Sequence, residues 1–345
     1  MPSTLHPSAL EAVKDRVVAL TGGTGSWGQQ FATQLLKLSG AREVRVISRG
    51  ESSQVAMRER FAPYVGRLKL AIGDVRDLPR LMLLLRGVDI VIHLAALKHV
   101  PVIEEQPREA LRTNTEGTQN VIDASAANGV HTVMLVSSDK AVDPLNFYGV
   151  TKLAAERLVL AAHREQPGTR FYTFRSGNAI GSSGSVLPLF RQQLARDNRL
   201  VLTDRRMTRF FIRLPDAVSL ALNTLPLAQG GEIYVPKMRS TDVDTLARVV
   251  LRRVGNAQTS MVEVGARDGE KMDELLLSRN ETRNAVDHDP FWVVLPVRHD
   301  DRLAAHYSAY PRTPLEEYNS SNARRFSEAE LEEQLEQDGF LKPLW

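Results

Sequence analysis

Residues 137–152 read SSDKAVDPLNFYGVTK and place Tyr148 and Lys152 four positions apart. On a helix, residues at that spacing share one face. A lysine ammonium beside a phenol stabilises the phenolate and lowers its pKa. Tyr148 could then take a hydroxyl proton as a hydride leaves the same carbon. That pair and a redox cofactor suffice for reversible oxidation of an alcohol. Just upstream stand Asp139 and Lys140, which such a reaction does not need. A buried carboxyl that keeps its proton is a general acid, and an amine whose pKa is lowered by burial and by Lys152 is a general base. Acid and base beside a redox relay could eliminate water next to a newly formed ketone. The plainer alternative is an ion pair at a strand end.

These residues need a scaffold, and the chain supplies short apolar runs alternating with helical patterns. RVVALT (16–21), EVRVIS (43–48), LKLAIG (68–73), VDIVIHLA (88–95), HTVMLVSS (131–138) and TRFYTFRSGN (169–178) read as strands. WGQQFATQLLKL (27–38), QVAMRERF, DLPRLMLLL and EALRTNTEGTQNVIDASAAN read as helices. The alternation predicts an α/β fold, a Rossmann-type doubly wound parallel sheet, because continuous apolar strands are covered on both faces. After residue 178 the rhythm changes. The expected organisation is a tail at 1–15, a nucleotide-binding core at 16–178, and a smaller mixed α/β substrate-binding cap within 179–345, with 217–255 returning to the core. SEAELEEQLEQ (327–337) opens with Ser and carries Glu three residues later, a capping-box pattern on what reads as a solvated closing helix.

TGGTGSWG (21–28) joins the first strand to the first helix and spaces Gly22, Gly25 and Gly28 three apart. Glycine permits the tight turn and the close backbone approach that a pyrophosphate needs, and the helix N-terminus offers free N–H groups. After the second strand comes ISRGES (47–52). Ser48 and Arg49 precede Glu51, so a guanidinium stands where NAD sites carry an acid, which favours NADP. Asp74 in GDVRD (73–77) could accept from the adenine amine, or cap the helix that follows. Lys98 in LKHVP (97–101) ends the fourth strand and could bridge cofactor and substrate.

Thr-Gly-x-x-Gly-x-x-Gly with Tyr-x-x-x-Lys resembles the extended short-chain dehydrogenase/reductases. The fuller set TGGTGSWG, GDVRD, HLAALKHVP, SSDKAVDPLNFYGVTK, RSGNAIGSSGSVLPLF, TDRRMTRFF and GARDGEKMDE resembles the soluble inverting UDP-N-acetylglucosamine 4,6-dehydratases, from about residue 15 to the last helix. The resemblance implies that Tyr148, Lys152, Asp139 and Lys140 are catalytic. It implies a cofactor site that adds Thr24, Ser26, Trp27, Ser52, Val75, Leu94, Ala95, Val136, Ser137 and Ala179 to the residues above. It places the UDP-sugar against Lys98, Asn178, Ser183, Gly184, Ser185, Val186, Leu187, Thr203, Arg209, Arg267 and Glu270, and it implies a homo-oligomer. Asp143 stands where that family commonly has Asn, Asp268 where it has Pro, and Ser183 where it has a basic residue.

Composition narrows the alternatives. Lys plus Arg number 44 against 41 for Asp plus Glu, and the short run Arg205, Arg206, Arg209 and Arg213 lies among apolar residues. Nucleic acid is not an expected partner. There are no cysteines, which excludes disulfides and thiolate chemistry, and no His/Asp/Glu set has the spacing of metal ligands. No signal-like segment opens the chain and no apolar run could span a bilayer, so the expected location is the cytoplasm. Two rivals share the motifs: a UDP-sugar 4-epimerase, which has no use for Lys140, and a non-catalytic NADP-binding regulator on the same fold.

Overall fold

The computed structural model describes residues 4–182, 185–297 and 300–342. Strands β1 (Val17–Thr21), β2 (Glu43–Ser48), β3 (Leu68–Ile72), β4 (Ile90–His93), β5 (Thr132–Ser138) and β6 (Arg170–Ser176) fall where the apolar runs predict them. They pair in parallel in the order β3-β2-β1-β4-β5-β6. Side chains alternate between two covered faces. Val18 and Leu20 enter one core with Phe31 and Leu35, whereas Val17 and Ala19 enter the other with Leu81 and Val121. Truncating a fully buried ring such as Phe31 to Ala in a core of this kind costs about 3–5 kcal/mol.

The helices between these strands are α1 (Pro7–Val13), preceding β1, then α2 (Ser26–Lys37), α3 (Glu51–Arg60), α4 (Leu78–Leu84), α5 (Val100–Glu105), α6 (Pro107–Ala110), α7 (Gly117–Ala127) and α8 (Phe147–Glu165). The segment expected as a tail thus holds α1, which buries Ala9 and Val13. Between α6 and α7 the backbone runs as a π-helical stretch, Leu111–Glu116, where periodicity predicted an uninterrupted helix. The widened turn carries Asn114, whose amide donates to the Leu97 carbonyl at 2.9 Å and whose oxygen accepts from the Leu97 N–H at 2.7 Å. One side chain therefore fixes the loop after β4.

The rest of the chain is shared between the sheet and a cap. After β7 (Asn178–Ile180), α9 (Val186–Asp197), β8 (Arg199–Leu202) and β9 (Thr208–Arg213), helix α10 (Leu214–Thr224) packs on α2. Then β10 (Ile233–Pro236) extends the main sheet beside β6. β11 (Arg239–Asp242) pairs with β9 in the cap, and α11 (Val243–Val254) joins α9 and the last helix in the cap's own apolar core. β12 (Ser260–Glu263) pairs with β8, and β13 (Leu275–Leu277) precedes the short α12 (Arg279–Thr282). β14 (Ala285–His288) and β15 (Phe291–Val294) then close the main sheet as an antiparallel edge, giving nine strands. That second return is not apparent from the sequence, because β14, AVDH, is half polar and the apolar run of β15, FWVV, is only four residues long and does not say which sheet it joins. α13 (Asp301–His306) and β16 (Tyr318–Asn319) follow.

The last helix, α14 (Glu328–Gln337), has the predicted capping box: Ser327 Oγ accepts from the Glu330 N–H at 3.2 Å, and Glu330 Oε2 accepts from the Ser327 N–H at 3.0 Å. It is not merely solvated. Leu331 and Leu335 are fully buried in the cap core. Phe340, just beyond, covers Gly181, where φ is +75° and an added Cβ would meet the ring at 2.3 Å. No helix among the described residues is long and apolar enough to cross a membrane.

Candidate active site

The strand order turns back at β1 and β4, and the carboxyl ends of the strands open there into a cleft of about 700 Å³ between sheet and cap. β5 ends in a single 3₁₀ turn, Asp139–Ala141, capped by Ser138. Helix α8 starts close beneath it, because Asn146 caps the Gly149 N–H at 2.9 Å and Gly149 has no side chain to hold the helix away. A Cβ at Gly149 would lie 2.2 Å from the Lys140 carbonyl oxygen. This close approach brings Tyr148 and Lys152 to the same wall as Lys140, and all three line the cleft.

Asp139 lies under the cleft floor, 1% exposed. Its Oδ1 accepts from Ser138 Oγ at 2.7 Å and from Lys140 Nζ at 3.1 Å, while Oδ2 is buried with no hydrogen-bond partner. Burial raises the Asp139 pKa, with Lys140 opposing and Glu274 adding to it. Lys140 departs from expectation. Burial alone would lower its pKa, but the carboxylates of Asp139 and Glu274 together outweigh burial and hold the amine above its ordinary value. The resting side chain is an ammonium, not a free base.

Glu274 was not singled out from the sequence, although it closes the GARDGEKMDE stretch. Its Oε1 lies 3.1 Å from Lys140 Nζ and 3.6 Å from Arg209 Nε, and its Oε2 is buried without a partner. Ser320 Oγ accepts from the Glu274 N–H at 2.9 Å, tying the residue to the cap.

The relay pair also differs in detail from its sequence reading. Burial pushes the Tyr148 phenol up rather than down, with Lys140 and Ser138 only partly offsetting it. Lys152 donates to the Val136 carbonyl at 2.9 Å, and burial lowers its pKa to about 8.

The glycine turn fits a dinucleotide. Gly22 has φ +66° and a Cβ there would fall 2.8 Å from Ala95, which backs it. A Cβ on Gly28 would fall 2.3 Å from Gly23 Cα, so the third glycine lets α2 press on the turn. Gly25 is the N-cap of α2 with Thr24 before it, and Ser26 opens the helix, leaving the twelve-residue α2 aimed at the crevice. Trp27, Leu94, Val136, Ser137 and Ala179 line the cleft beside this turn.

At the far end of the turn Ser48 is buried, Arg49 is about half exposed, and Glu51 and Ser52 open α3. Asp74 does not cap α4, a role taken by Asp77. Its carboxylate is held by Arg76 at 2.6 Å, with Arg49 at 3.9 Å and buried Val75 next in the chain. Burial opposes but the Arg76 hydrogen bonds prevail, keeping Asp74 below its ordinary pKa.

Lys98 lines the cleft from the loop after β4, and Asn178, Ser185, Val186, Leu187, Thr203, Arg267 and Glu270 line the same cleft. Ser183 and Gly184 lie outside the described residues. Ser185 caps α9 in position only, and its Oγ is buried without a partner. Arg209 reaches the cleft but is not a free clamp: its guanidinium donates to the Thr208 carbonyl at 2.7 Å and the Met272 carbonyl at 3.1 Å. Glu270 accepts from the Arg267 N–H at 3.3 Å, closing the turn that presents both. Lys271 also lines the cleft.

Residues 18–296 match the family model described as polysaccharide biosynthesis protein. The chain belongs to that family. A family relative, the inverting UDP-N-acetylglucosamine 4,6-dehydratase of Campylobacter jejuni subsp. jejuni serotype O:23/36 (strain 81-176), is 39% identical over 81% of this chain and 82% of its own. The UDP-glucose 4-epimerase of Rickettsia felis is 36% identical over 93% of this chain and 95% of its own. Among solved structures, Pen from Bacillus thuringiensis superposes with a TM-score of 0.88 at 33% identity, covering 96% of this chain and 99% of that one.

Proposed function

We propose that this family member is an NADP-dependent UDP-N-acetylglucosamine 4,6-dehydratase that inverts C5 and releases a UDP-4-keto-6-deoxy-N-acetylhexosamine for glycan biosynthesis. The observation that carries the reading is the Asp139–Lys140 pair within the Tyr148–Lys152 wall, an acid–amine couple beside a redox relay. The Campylobacter relative's name supports the substrate and the reaction.

The turn at Gly22, Thr24, Gly25, Ser26 and Gly28 would hold the pyrophosphate of the dinucleotide, and Ser48, Arg49, Glu51 and Ser52 its adenosine ribose, with Arg49 taking a 2′-phosphate. Asp74 and Val75 would meet the adenine, and Trp27, Leu94, Ala95, Val136, Ser137 and Ala179 the nicotinamide end. Bound there, the nicotinamide supplies a hydride acceptor for C4 and later a donor for C6. Tyr148 takes the C4 hydroxyl proton, and the Lys152 ammonium favours the phenolate as it forms. The C4 ketone acidifies the C5 hydrogen. Lys140 in its amine form removes that proton, and Asp139 gives its own to the hydroxyl leaving C6. Reprotonation from the opposite face inverts C5. Lys98, Asn178, Ser185, Val186, Leu187, Thr203, Arg209, Arg267 and Glu270 would face the UDP part, with backbone N–H groups, hydroxyls and guanidinium groups as donors to phosphate.

Incubation with UDP-N-acetylglucosamine in deuterated water tests the reading. The expected product has lost one water and carries deuterium at C5. The Rickettsia relative's name favours the epimerase rival, and a product of unchanged mass with inverted C4 would establish it instead.

A further inference from the structure

Lys140 poses a chemical problem. A base at C5 needs a free lone pair, yet the resting amine is charged and pinned between Asp139 and Glu274 at 3.1 Å each. Something must take its proton before C5 is attacked. Asp139 is poorly placed to do so, because the same reaction requires it as an acid. Lys98, Lys271 and Arg209 are ammonium and guanidinium groups, which carry hydrogen-bond donors and no acceptor. Glu274 can take the proton. Its Oε1 already meets the amine and its buried Oε2 has no hydrogen-bond partner; at rest burial opposes, but Lys140 and Arg209 prevail and hold this carboxyl below its ordinary pKa, so it stands as the ionised acceptor until the cleft is covered. Its backbone is locked by Ser320, whose Oγ also bonds Thr208 at 2.6 Å, so the carboxylate cannot swing away.

We propose that Glu274 is a positioning residue for the elimination step, holding the Lys140 amine against Asp139 and taking its proton when a sugar covers the cleft. The inference rests on the dehydratase reading above. Covering matters because Lys140 is still 27% exposed at rest and its ammonium keeps some water. Removing that water penalises the charged forms of both partners at once, which favours a neutral amine beside a neutral carboxyl.

The steps balance. One proton moves from the Lys140 ammonium to the Glu274 carboxylate. The freed lone pair takes the C5 proton, the C5–H electrons form the second C5–C6 bond, and the C6–O bond breaks. Asp139 protonates the departing hydroxyl, which leaves as water. The proton on Glu274 then returns through Lys140 to the ionised Asp139 and restores the resting state.

Steady-state kinetics of Glu274→Gln with UDP-N-acetylglucosamine test this, alongside C5 deuterium incorporation and the near-ultraviolet absorbance of reduced nicotinamide. The expected result is kcat lowered at least about 100-fold with KM within about threefold, the scale of a lost proton-transfer partner. C4 oxidation should persist, so reduced nicotinamide accumulates. Glu274→Asp keeps an acceptor at shorter reach and should recover part of the rate. If Glu274 only held charge, Gln would loosen the Lys140 proton and turnover would stay level or rise, which overturns the proposal. Equal losses in kcat and nicotinamide reduction would likewise overturn it. Should the Gln variant fail to fold, Glu274→Asp decides alone: lowered kcat at unchanged KM supports the proposal, and full rate sinks it. Wild-type protein that releases no dehydrated product refutes the underlying reading instead.

Discussion

Arg175 donates to both carboxylate oxygens of Glu156, at 3.0 and 2.6 Å, one helical turn past Lys152 on α8. The guanidinium is fully buried and also meets Glu281 at 2.8 Å. The pair thus anchors α8, the helix that carries Tyr148 and Lys152, to β6. Removing one member leaves buried charge uncompensated. Arg175→Gln is expected to lose about 3–5 kcal/mol of unfolding free energy, measured by urea titration. An unchanged midpoint would contradict this account.

Lys152 ties the relay to pH. Its pKa of about 8 reflects burial, with Glu156 opposing. The ammonium that supports phenolate formation is therefore present below about 8 and lost as pH rises through it. The rate of C4 oxidation should fall on that alkaline limb, and Lys152→Met should remove the limb together with roughly 100-fold of rate. A flat profile to pH 10, where an ordinary lysine titrates, would contradict the burial argument.

His93 should govern acid stability. It is 2% exposed, with its two nitrogens on Thr21 at 2.6 Å and Thr118 at 3.0 Å, and burial, followed by Lys152, lowers its pKa to about 3. The unfolded histidine takes up a proton near 6.5 and the folded one does not, so stability is complete above about 6.5 and drains as pH falls toward 3. Between pH 7 and 5 this group should cost about 2 kcal/mol. Urea titrations of wild type and His93→Gln would show the pH slope shrinking in the variant.

The proposed NADP preference rests on Arg49. It is about half exposed at the end of β2, only loosely engaged by Asp74 at 3.9 Å, and free to reach a 2′-phosphate. Arg49→Ala is expected to weaken NADP about 10- to 100-fold against NAD, in keeping with loss of a charge-assisted pair. Equal effects on both dinucleotides would refute the assignment.

Gly28→Ala is a test of the turn. The added methyl would lie 2.3 Å from Gly23 Cα, where only backbone can yield. Dinucleotide affinity should fall by at least about 10-fold while the cap stays folded, visible by calorimetry and near-ultraviolet dichroism.

The sheet was legible because each buried parallel strand is a run of apolar residues, and β1 to β6 are such runs. β14 and β15 were not, since strands of four residues give no period to count and the apolar run FWVV does not say which sheet it joins. Asn114 escaped notice because the apolar periodicity of a sequence does not distinguish a single π turn from a regular helix. Tyr148, Lys152, Asp139 and Lys140 were found because their spacing is local. Glu274 is 134 residues from Lys140, and no spacing rule reports a partner brought in by the fold. The sign of the Lys140 shift was misjudged for the same reason: one neighbouring carboxylate was visible in the sequence and the second was not.

Asp139 and Lys140 stand at the end of β5, whereas Glu274 arrives from the far half of the chain, immediately before β13. The amine is thus held by a contact between segments 134 residues apart, while Tyr148 and Lys152 sit together on one helix. In the proposed reaction, loosening that single long-range contact would disturb elimination and leave the oxidation pair in place.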